Sequence, residues 1–422
     1  MVPLLAGSIG SSLAEFAINP MSPSLSTFAR SVGGSAVVEM RRQADAFAVK
    51  GMRIVDFGAG EPDFDVPAPV KEAAIKAIQD GRGHYVDPRG LAELREAIAR
   101  FEMDRHGLAV EADQIVVTPG SFGGLSLATR AILDPGDEVL VIEPCWGPYR
   151  NMVLLTGAKP VAVPMSTSQG RFVVDGERLE AAVTPKTRAI IVNTPWNPTG
   201  RVLSPAELAA VADTAERHDL WIIADEVYSE LVFDGFDHVS AASLGGDVAS
   251  RTVIATSLSK SFAMTGWRLG YCIAPPELAS MLARMNHLAT RCATSIVQHA
   301  AIAAFTDGAP FVEDMRQEYS RRRDIIVAGL NDIDGVLCPP PEGTFYAFPQ
   351  IPEDWGDSRD VAEFLLRETG VVVTPGSAYG PGSRHHLRLS FATSMAVIEE
   401  GLSRLNKALP AHFNETRNNG HT

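Results

Sequence analysis

"RTVIATSLSKSFAMTGWRLGY", Arg251 to Tyr271, changes chemical character at Ser257. Its first part holds the apolar run Val253 to Ala255 between threonines, and the run stops at hydroxyl residues and a single lysine, Lys260. A short apolar run without alternation is the pattern of a strand covered on both faces. Four more runs share that form: "QIVVTPGS", "DEVLVIEPCW", "RAIIVNTPWNPTG" and "LWIIADEVY". Helical patterns such as "GGLSLATRAIL" and "PAELAAVADTAERHD" lie between most of them. The alternation predicts an α/β protein with a mostly parallel sheet and helices on both faces.

The residues that follow the runs differ from the runs themselves: Gly120 and Ser121, Trp146, Asn197, Asp225, and Ser257 to Lys260. Ligands of open parallel sheets bind outside the carboxyl ends of the strands, where the loops converge. Five strands therefore aim polar or aromatic groups at one crevice. Farther on, Pro310 to Ile333 reads as a long amphipathic helix, followed by strand-like "GTFYAFP" and "HLRLSFA". These predict a smaller second domain completed by the N-terminal segment. The expected division is an arm and part of the small domain over 1–62, a large domain over 63–325, the rest of the small domain over 326–410, and a frayed tail over 411–422.

Composition narrows the partners. The 422 residues allow two or three domains at roughly 100–200 residues each. A content of 45% hydrophobic and 21% charged residues suits an ordinary globular protein. Net charge is −14, from 37 basic and 51 acidic residues without a dense basic block, which argues against nucleic acid. Cys145, Cys272, Cys292 and Cys338 lie far apart and form no metal-ligand spacing, so no metal is expected and the thiols read as reduced. His385 and His386 read as part of a polar loop. The N-terminal "MVPLLAGSIGSSLAEFAINP" has no basic residue and is interrupted by Glu15, so it reads as a loose arm and not a signal peptide. No segment approaches the ~18 apolar residues of a membrane span, and the expected location is the cytoplasm.

Lys260 is the one lysine between Lys186 and Lys407 in a chain that has seven. At the end of a buried strand its ammonium would cost ~2 kcal/mol or more unless paired or deprotonated. A desolvated lysine becomes a nucleophile able to condense with an aldehyde. The structural alternative is a lysine that snorkels from a strand end. Arg268, Ser257 and Ser259 supply a forked cation and hydroxyls suited to a phosphate, and the "TPGSFGGL" turn supplies amides at a helix start near Ser121. Asp225, with Tyr228 three residues later, reads either as a helix cap or ion-pair partner, or as the partner of a protonated ring nitrogen. Asn197 sits in a loop stiffened by Pro195 and Pro198, able to hold its amide in one orientation.

Together, "GEPDF", "YVDPRGL", "TPGS", "EPCW", "NTPWNPTG", "DEVY", "SLSK" with "GWRLGY", and "GSAYGPGSRHHLRLSFA" resemble the class I/II aminotransferases, the fold type I enzymes of the aspartate aminotransferase superfamily. The match is ordered and covers roughly residues 20–405. It implies a large domain with a seven-stranded, mostly parallel sheet, a smaller α+β domain, and pyridoxal 5'-phosphate as cofactor. The implied reaction moves an amino group between an L-amino acid and a 2-oxo acid by a ping-pong mechanism. Other pyridoxal phosphate reactions on the same scaffold, β-elimination, cyclisation or oxidation, are the alternative.

The resemblance also carries roles. Lys260 matches the lysine that joins the cofactor's aldehyde as an imine, and Asp225 the carboxylate under the pyridine nitrogen. Tyr228 and Asn197 match the groups at the phenolic oxygen, and Trp146 the aromatic on the ring face. Ser257, Arg268, Gly120, Ser121 and Phe122 match the phosphate cup, to which the reading of the residues adds Ser259 as a cofactor-binding hydroxyl. Tyr85 resembles the tyrosine that reaches the neighbouring subunit's phosphate, which implies a homodimer with shared sites. Arg388 matches the arginine on the substrate carboxylate, with Gly60, Asn197 and Trp146 beside it. Phe122 and the bulk of Trp196 suggest a neutral or apolar substrate side chain, and the sequence offers no clear second arginine for a distal carboxylate. Arg291 lies in a segment able to approach the partner's site.

Overall fold

The computed structural model describes residues 24–26, 30, 34, 36–168, 170–245 and 247–419, so most of the expected N-terminal arm lies outside the described residues. From Gly34 onward the chain forms one compact unit. Its centre is a seven-stranded sheet in the order Ile115–Thr118, Gly270–Ile273, Thr252–Ser257, Trp221–Asp225, Thr187–Asn193, Glu138–Glu143, Lys159–Pro164. The second of these runs antiparallel to both neighbours, and the remaining pairings are parallel.

The unbroken apolar runs have a direct cause in the packing. Ile190, Ile222 and Ile254 enter one buried cluster with Leu208, Val211 and Ala215 of the helix Pro205–Arg217. Their neighbours Ile191, Ile223 and Val253 enter another, with Leu125 and Ala128 of the helix Gly120–Ile132 and Leu282 of the helix Pro276–Thr290. Successive side chains point to opposite faces, so burial of both faces removes the alternation.

A separate cluster joins Met40, Val55 and Phe57 to Ile326, Leu330, Val371 and Leu389. It includes Met315 and Tyr319 from the helix Ala309–Asn331, which therefore runs across position 325. Beside that helix, Leu387–Ser390 pairs antiparallel with Tyr346–Ala347 on one side and Thr374–Pro375 on the other.

Two expectations are corrected. The tail past Pro410 is not frayed at once, because the helix Met395–Asn419 continues through it. Proline in a helix interior forfeits a hydrogen bond, but Leu409 is buried here and His412 stacks on Phe364 at 3.9 Å. The pair His385–His386 is not simply a polar loop. His386 is buried and stacked on Phe348, and burial pushes its imidazole down to about 4.

Candidate active site

Each parallel strand ends at the same edge of the sheet, and the antiparallel strand starts there, since Gly270 pairs with both Ser257 and Thr118. Arg268, just before that strand, thus reaches the edge where the other strands deliver their last residues. A cavity of about 330 Å³ opens at this edge. Its lining includes Gly60, Ser121, Phe122, Trp146, Asn197, Asp225, Tyr228, Ser259, Lys260, Arg268 and Arg388.

Lys260 lies in a single helical turn, Leu258–Ser261, which starts where the Ser257 hydroxyl accepts the Ser259 N–H at 2.9 Å. Its Nζ donates to the carbonyl of Gly60 at 2.5 Å. Burial pulls its pKa from 10.5 down to about 8, opposed by the charge of Glu61 and assisted by that of Arg388. An uncharged amine is therefore within reach near neutral pH, the requirement for a nucleophile or a base.

Asp225 ends the adjacent strand and is buried. Its Oδ2 accepts the Tyr149 hydroxyl at 2.6 Å and its Oδ1 the Val227 N–H at 3.3 Å. Burial is the main influence and lifts its pKa from 3.8 to about 6, against the hydrogen bond from Tyr149. No ion pair compensates it among the described residues. A buried carboxyl in this state favours a cationic or N–H partner arriving from the cavity.

Arg388 is 3% exposed and likewise forms no ion pair among the described residues. Its guanidinium donates to Asn197 Oδ1 at 3.2 Å and to the Gly58 carbonyl at 3.0 Å, and its Nε has no hydrogen-bond partner among the described residues. Asn197 is held in turn, because its N–H donates to Asn193 Oδ1 at 2.8 Å while Asn193 Nδ2 donates to the Asp225 carbonyl at 2.8 Å. A buried guanidinium with no acid beside it among the described residues is suited to a carboxylate.

A cradle suited to an anion lines the same cavity as Lys260. Gly120 has φ +74°, and a Cβ there would come within 2.7 Å of Arg268 Nη2, so only glycine lets the guanidinium lie on this turn. Gly270 packs as closely, since a Cβ would meet Ser121 N at 2.7 Å. Ser121, in the first turn of the Gly120–Ile132 helix, and Ser259 line the cavity together with Arg268.

Some expected residues stand elsewhere. The Ser257 hydroxyl faces Ser259 Oγ at 2.7 Å and the Leu269 carbonyl at 3.2 Å, and it does not line the cavity. Trp196 is 1% exposed and belongs to the core, with its indole N–H donated to the Pro144 carbonyl at 2.6 Å, so it adds no bulk to the cavity wall. Tyr85 is 80% exposed, outside this cavity, with the Arg291 guanidinium 5.6 Å from its ring. Conversely, Tyr149, Asn193, Tyr346, Val37 and Val38 line the cavity without having been singled out in the sequence. For Tyr149 a signal existed, since it lies one helical turn beyond Trp146 and the two rings meet edge to face at 5.3 Å.

Comparison with known proteins agrees with this geometry. An aromatic-amino-acid aminotransferase 2 of Thermococcus litoralis is 40% identical over 375 residues, 88% of this chain and 95% of that protein. An aspartate aminotransferase of Rhizobium meliloti is 38% identical over 386 residues, 89% of this chain and 93% of that protein. The solved structure of aspartate aminotransferase from Thermus thermophilus with maleate superposes with a TM-score of 0.86 at 37% identity, covering 92% of this chain and all of that one, 100%. With the family model for aminotransferase class I and II matching residues 53–405, this chain belongs to the class I and II aminotransferases and is a transaminase.

Proposed function

We propose that the chain holds pyridoxal 5'-phosphate in this cavity and passes the amino group of an L-amino acid to a 2-oxo acid in a ping-pong sequence. The observation that carries this reading is the convergence of three buried groups with unmet demands. They are an amine depressed to about 8 and, among the described residues, a carboxyl and a guanidinium that form no ion pair. The donor set fits the cofactor. Lys260 would meet its aldehyde, Asp225 its ring nitrogen, Asn197 and Tyr228 its phenolic oxygen, and Trp146 its ring face. Ser121, Ser259, Arg268 and the helix amides suit its phosphate.

Bound there, the cofactor supplies an aldehyde to take the amino group and a protonated ring to receive the electrons of the Cα–H bond. The chain supplies the rest. Arg388 grips the substrate carboxylate and fixes the Cα–H bond in orientation. Lys260 moves the proton at Cα, as its accessible neutral form allows. Tyr149 keeps Asp225 ionised by donating to Oδ2.

The test is a visible absorption spectrum of the purified protein. The cofactor band should disappear on addition of an amino acid substrate and return with a 2-oxo acid. Ammonia released without an acceptor would instead support elimination chemistry. Arg388→Lys should raise KM for the amino acid by roughly 10- to 100-fold, because an ammonium cannot reproduce the planar fork. An unchanged KM would remove Arg388 from the carboxylate.

The substrate reading follows from the open side of the cavity. Phe122 and Val38 are 46% and 66% exposed there and stand with Val37 and Trp146. Phe122 meets Trp146 edge to face at 5.6 Å. The cations of the lining are Lys260, Arg268 and Arg388, each already assigned. A distal carboxylate would face an apolar wall, so kcat/KM for phenylalanine or leucine should exceed that for aspartate by about tenfold or more. A panel that also includes arginine checks this, and aspartate winning would refute it.

Exposed Tyr85 and Leu288, 80% and 85%, with Arg291 beside Tyr85, support a homodimer that brings Tyr85 to the partner's cofactor. The separate apolar cluster around Val55 and Leu389 supports the division into a cofactor-binding body and a smaller domain. No helix among the described residues is long and apolar enough to cross a membrane. A cytoplasmic setting is the reading supported by four free cysteines.

A further inference from the structure

One phenol, Tyr346, ties the carboxylate-facing arginine to the tyrosine expected at the cofactor. Tyr346 pairs with Ser390 across the antiparallel strands Tyr346–Ala347 and Leu387–Ser390. Arg388 precedes Ser390 by two residues, so it is the diagonal neighbour of Tyr346 on the same face. Its guanidinium carbon lies 4.2 Å from the Tyr346 ring centroid and 5.3 Å from that of Tyr379. At the other end of the Tyr346 ring, its hydroxyl stands 3.1 Å from that of Tyr228. Both tyrosines are buried, and a Cβ on Gly60 would lie 3.0 Å from the Tyr346 hydroxyl, so the loop bearing the Lys260 acceptor packs here as well.

Each phenol has one proton. Among the described residues, the bond to Tyr228 is the hydrogen bond that the Tyr346 hydroxyl makes. When Tyr346 donates, the Tyr228 proton is left for an acceptor in the cavity, and a hydroxyl that accepts one hydrogen bond donates a stronger one. A guanidinium lying on an aromatic face is restrained in plane and tilt.

We infer that Tyr346 is a positioning residue of the transamination site. Its ring holds the Arg388 fork for the carboxylate, and its hydroxyl turns the Tyr228 proton toward the cofactor's phenolic oxygen. This rests on the pyridoxal phosphate reading above. One side chain thereby links the group that orients the substrate to the group that stabilises charge on the cofactor.

The holoenzyme of Tyr346→Phe keeps the ring and loses the hydroxyl. Its pH midpoint of visible absorbance should rise by roughly half a unit or more, because a weaker hydrogen bond from Tyr228 leaves more negative charge to hold the neighbouring proton. Its kcat should fall while KM for the amino acid stays within about twofold, since the ring contact to Arg388 survives. Tyr346→Leu removes the ring as well, and the dissociation constant of 3-phenylpropionate, a carboxylate without an amino group, should weaken about tenfold. An unmoved midpoint in Tyr346→Phe overturns the hydroxyl link, and unchanged carboxylate binding in Tyr346→Leu overturns the ring contact. In either case a wild-type spectrum that responds to amino acids leaves the cofactor reading standing. A wild type without a cofactor band overturns both.

Discussion

Replacing Lys260 with alanine is expected to lower turnover by on the order of 10⁴-fold or more while leaving the fold intact, because in the proposed reaction one side chain serves as both nucleophile and proton carrier. Borohydride should fix cofactor to the wild type and not to the variant. Folding should survive because the Lys260 amine makes one hydrogen bond among the described residues, to the Gly60 carbonyl, while its burial opposes the charged form. The sign of that opposition is testable. The folded-state pKa, about 8, is below the unfolded 10.5, so between those values the unfolded chain binds more protons and stability of the cofactor-free protein rises with pH. Below about pH 8 the full cost of the buried ammonium is present. The Lys260→Ala apoprotein should therefore lose this part of the slope and melt no lower than wild type at pH 7. The rate at which the wild-type apoprotein takes up pyridoxal phosphate should rise through about pH 8 and then level off, as the neutral amine becomes the dominant form. Full activity in the variant, or a rate still climbing toward the ordinary lysine range, would remove Lys260 from the chemistry.

The parts of this site that were legible in the sequence share one physical origin. A strand buried on both faces is largely apolar, so the polar and turn residues just past it are conspicuous, and Ser121, Asn197, Asp225 and Lys260 were found that way, while Asn193, still within its strand, was not. Strands lacking that property went unseen. Lys159–Pro164 lies at the sheet edge with most of its residues partly exposed and a proline at its second position, which an edge tolerates because no further strand needs its N–H. The reversed direction of Gly270–Ile273 is a property of the assembled sheet that no local run declares. That reversal brings Arg268 to the cradle, so the role of the arginine was readable by resemblance but its placement was not. Aromatic residues misled in both directions. Trp196 sits between polar turn residues yet fills the core, while Tyr149 and Tyr346 look like ordinary core aromatics and instead carry hydroxyls to Asp225 and Tyr228. Their significance depends on contacts across 76 and 118 positions of chain, which local pattern does not encode.

Asp225→Asn separates a structural acid from a functional one. The amide has nearly the same shape, so strand pairing and packing should persist, and it removes a charge whose burial the fold resists. Because the folded-state pKa is raised from 3.8 to about 6, the native state binds more protons between those values and Asp225 costs stability as pH rises through them. At pH 7 the apoprotein of Asp225→Asn should accordingly be at least as stable as wild type. Had the carboxylate served as a helix cap or structural ion pair, the same change would lower the melting temperature. Turnover should move the opposite way, because an amide cannot hold a proton on the ring nitrogen by charge. A decrease of on the order of 10²- to 10⁴-fold in kcat corresponds to the roughly 3–5 kcal/mol attached to breaking a buried charge pair. Tyr149 sharpens the test, since its 2.6 Å hydrogen bond favours the ionised carboxylate. Tyr149→Phe should thus reduce kcat in the same direction by a smaller factor, about tenfold for one charge-assisted hydrogen bond, and add little in the Asp225→Asn background. Additive losses in the double variant would mean that Tyr149 acts elsewhere, and a stable, fully active Asp225→Asn enzyme would mean that the buried acid does not serve the ring.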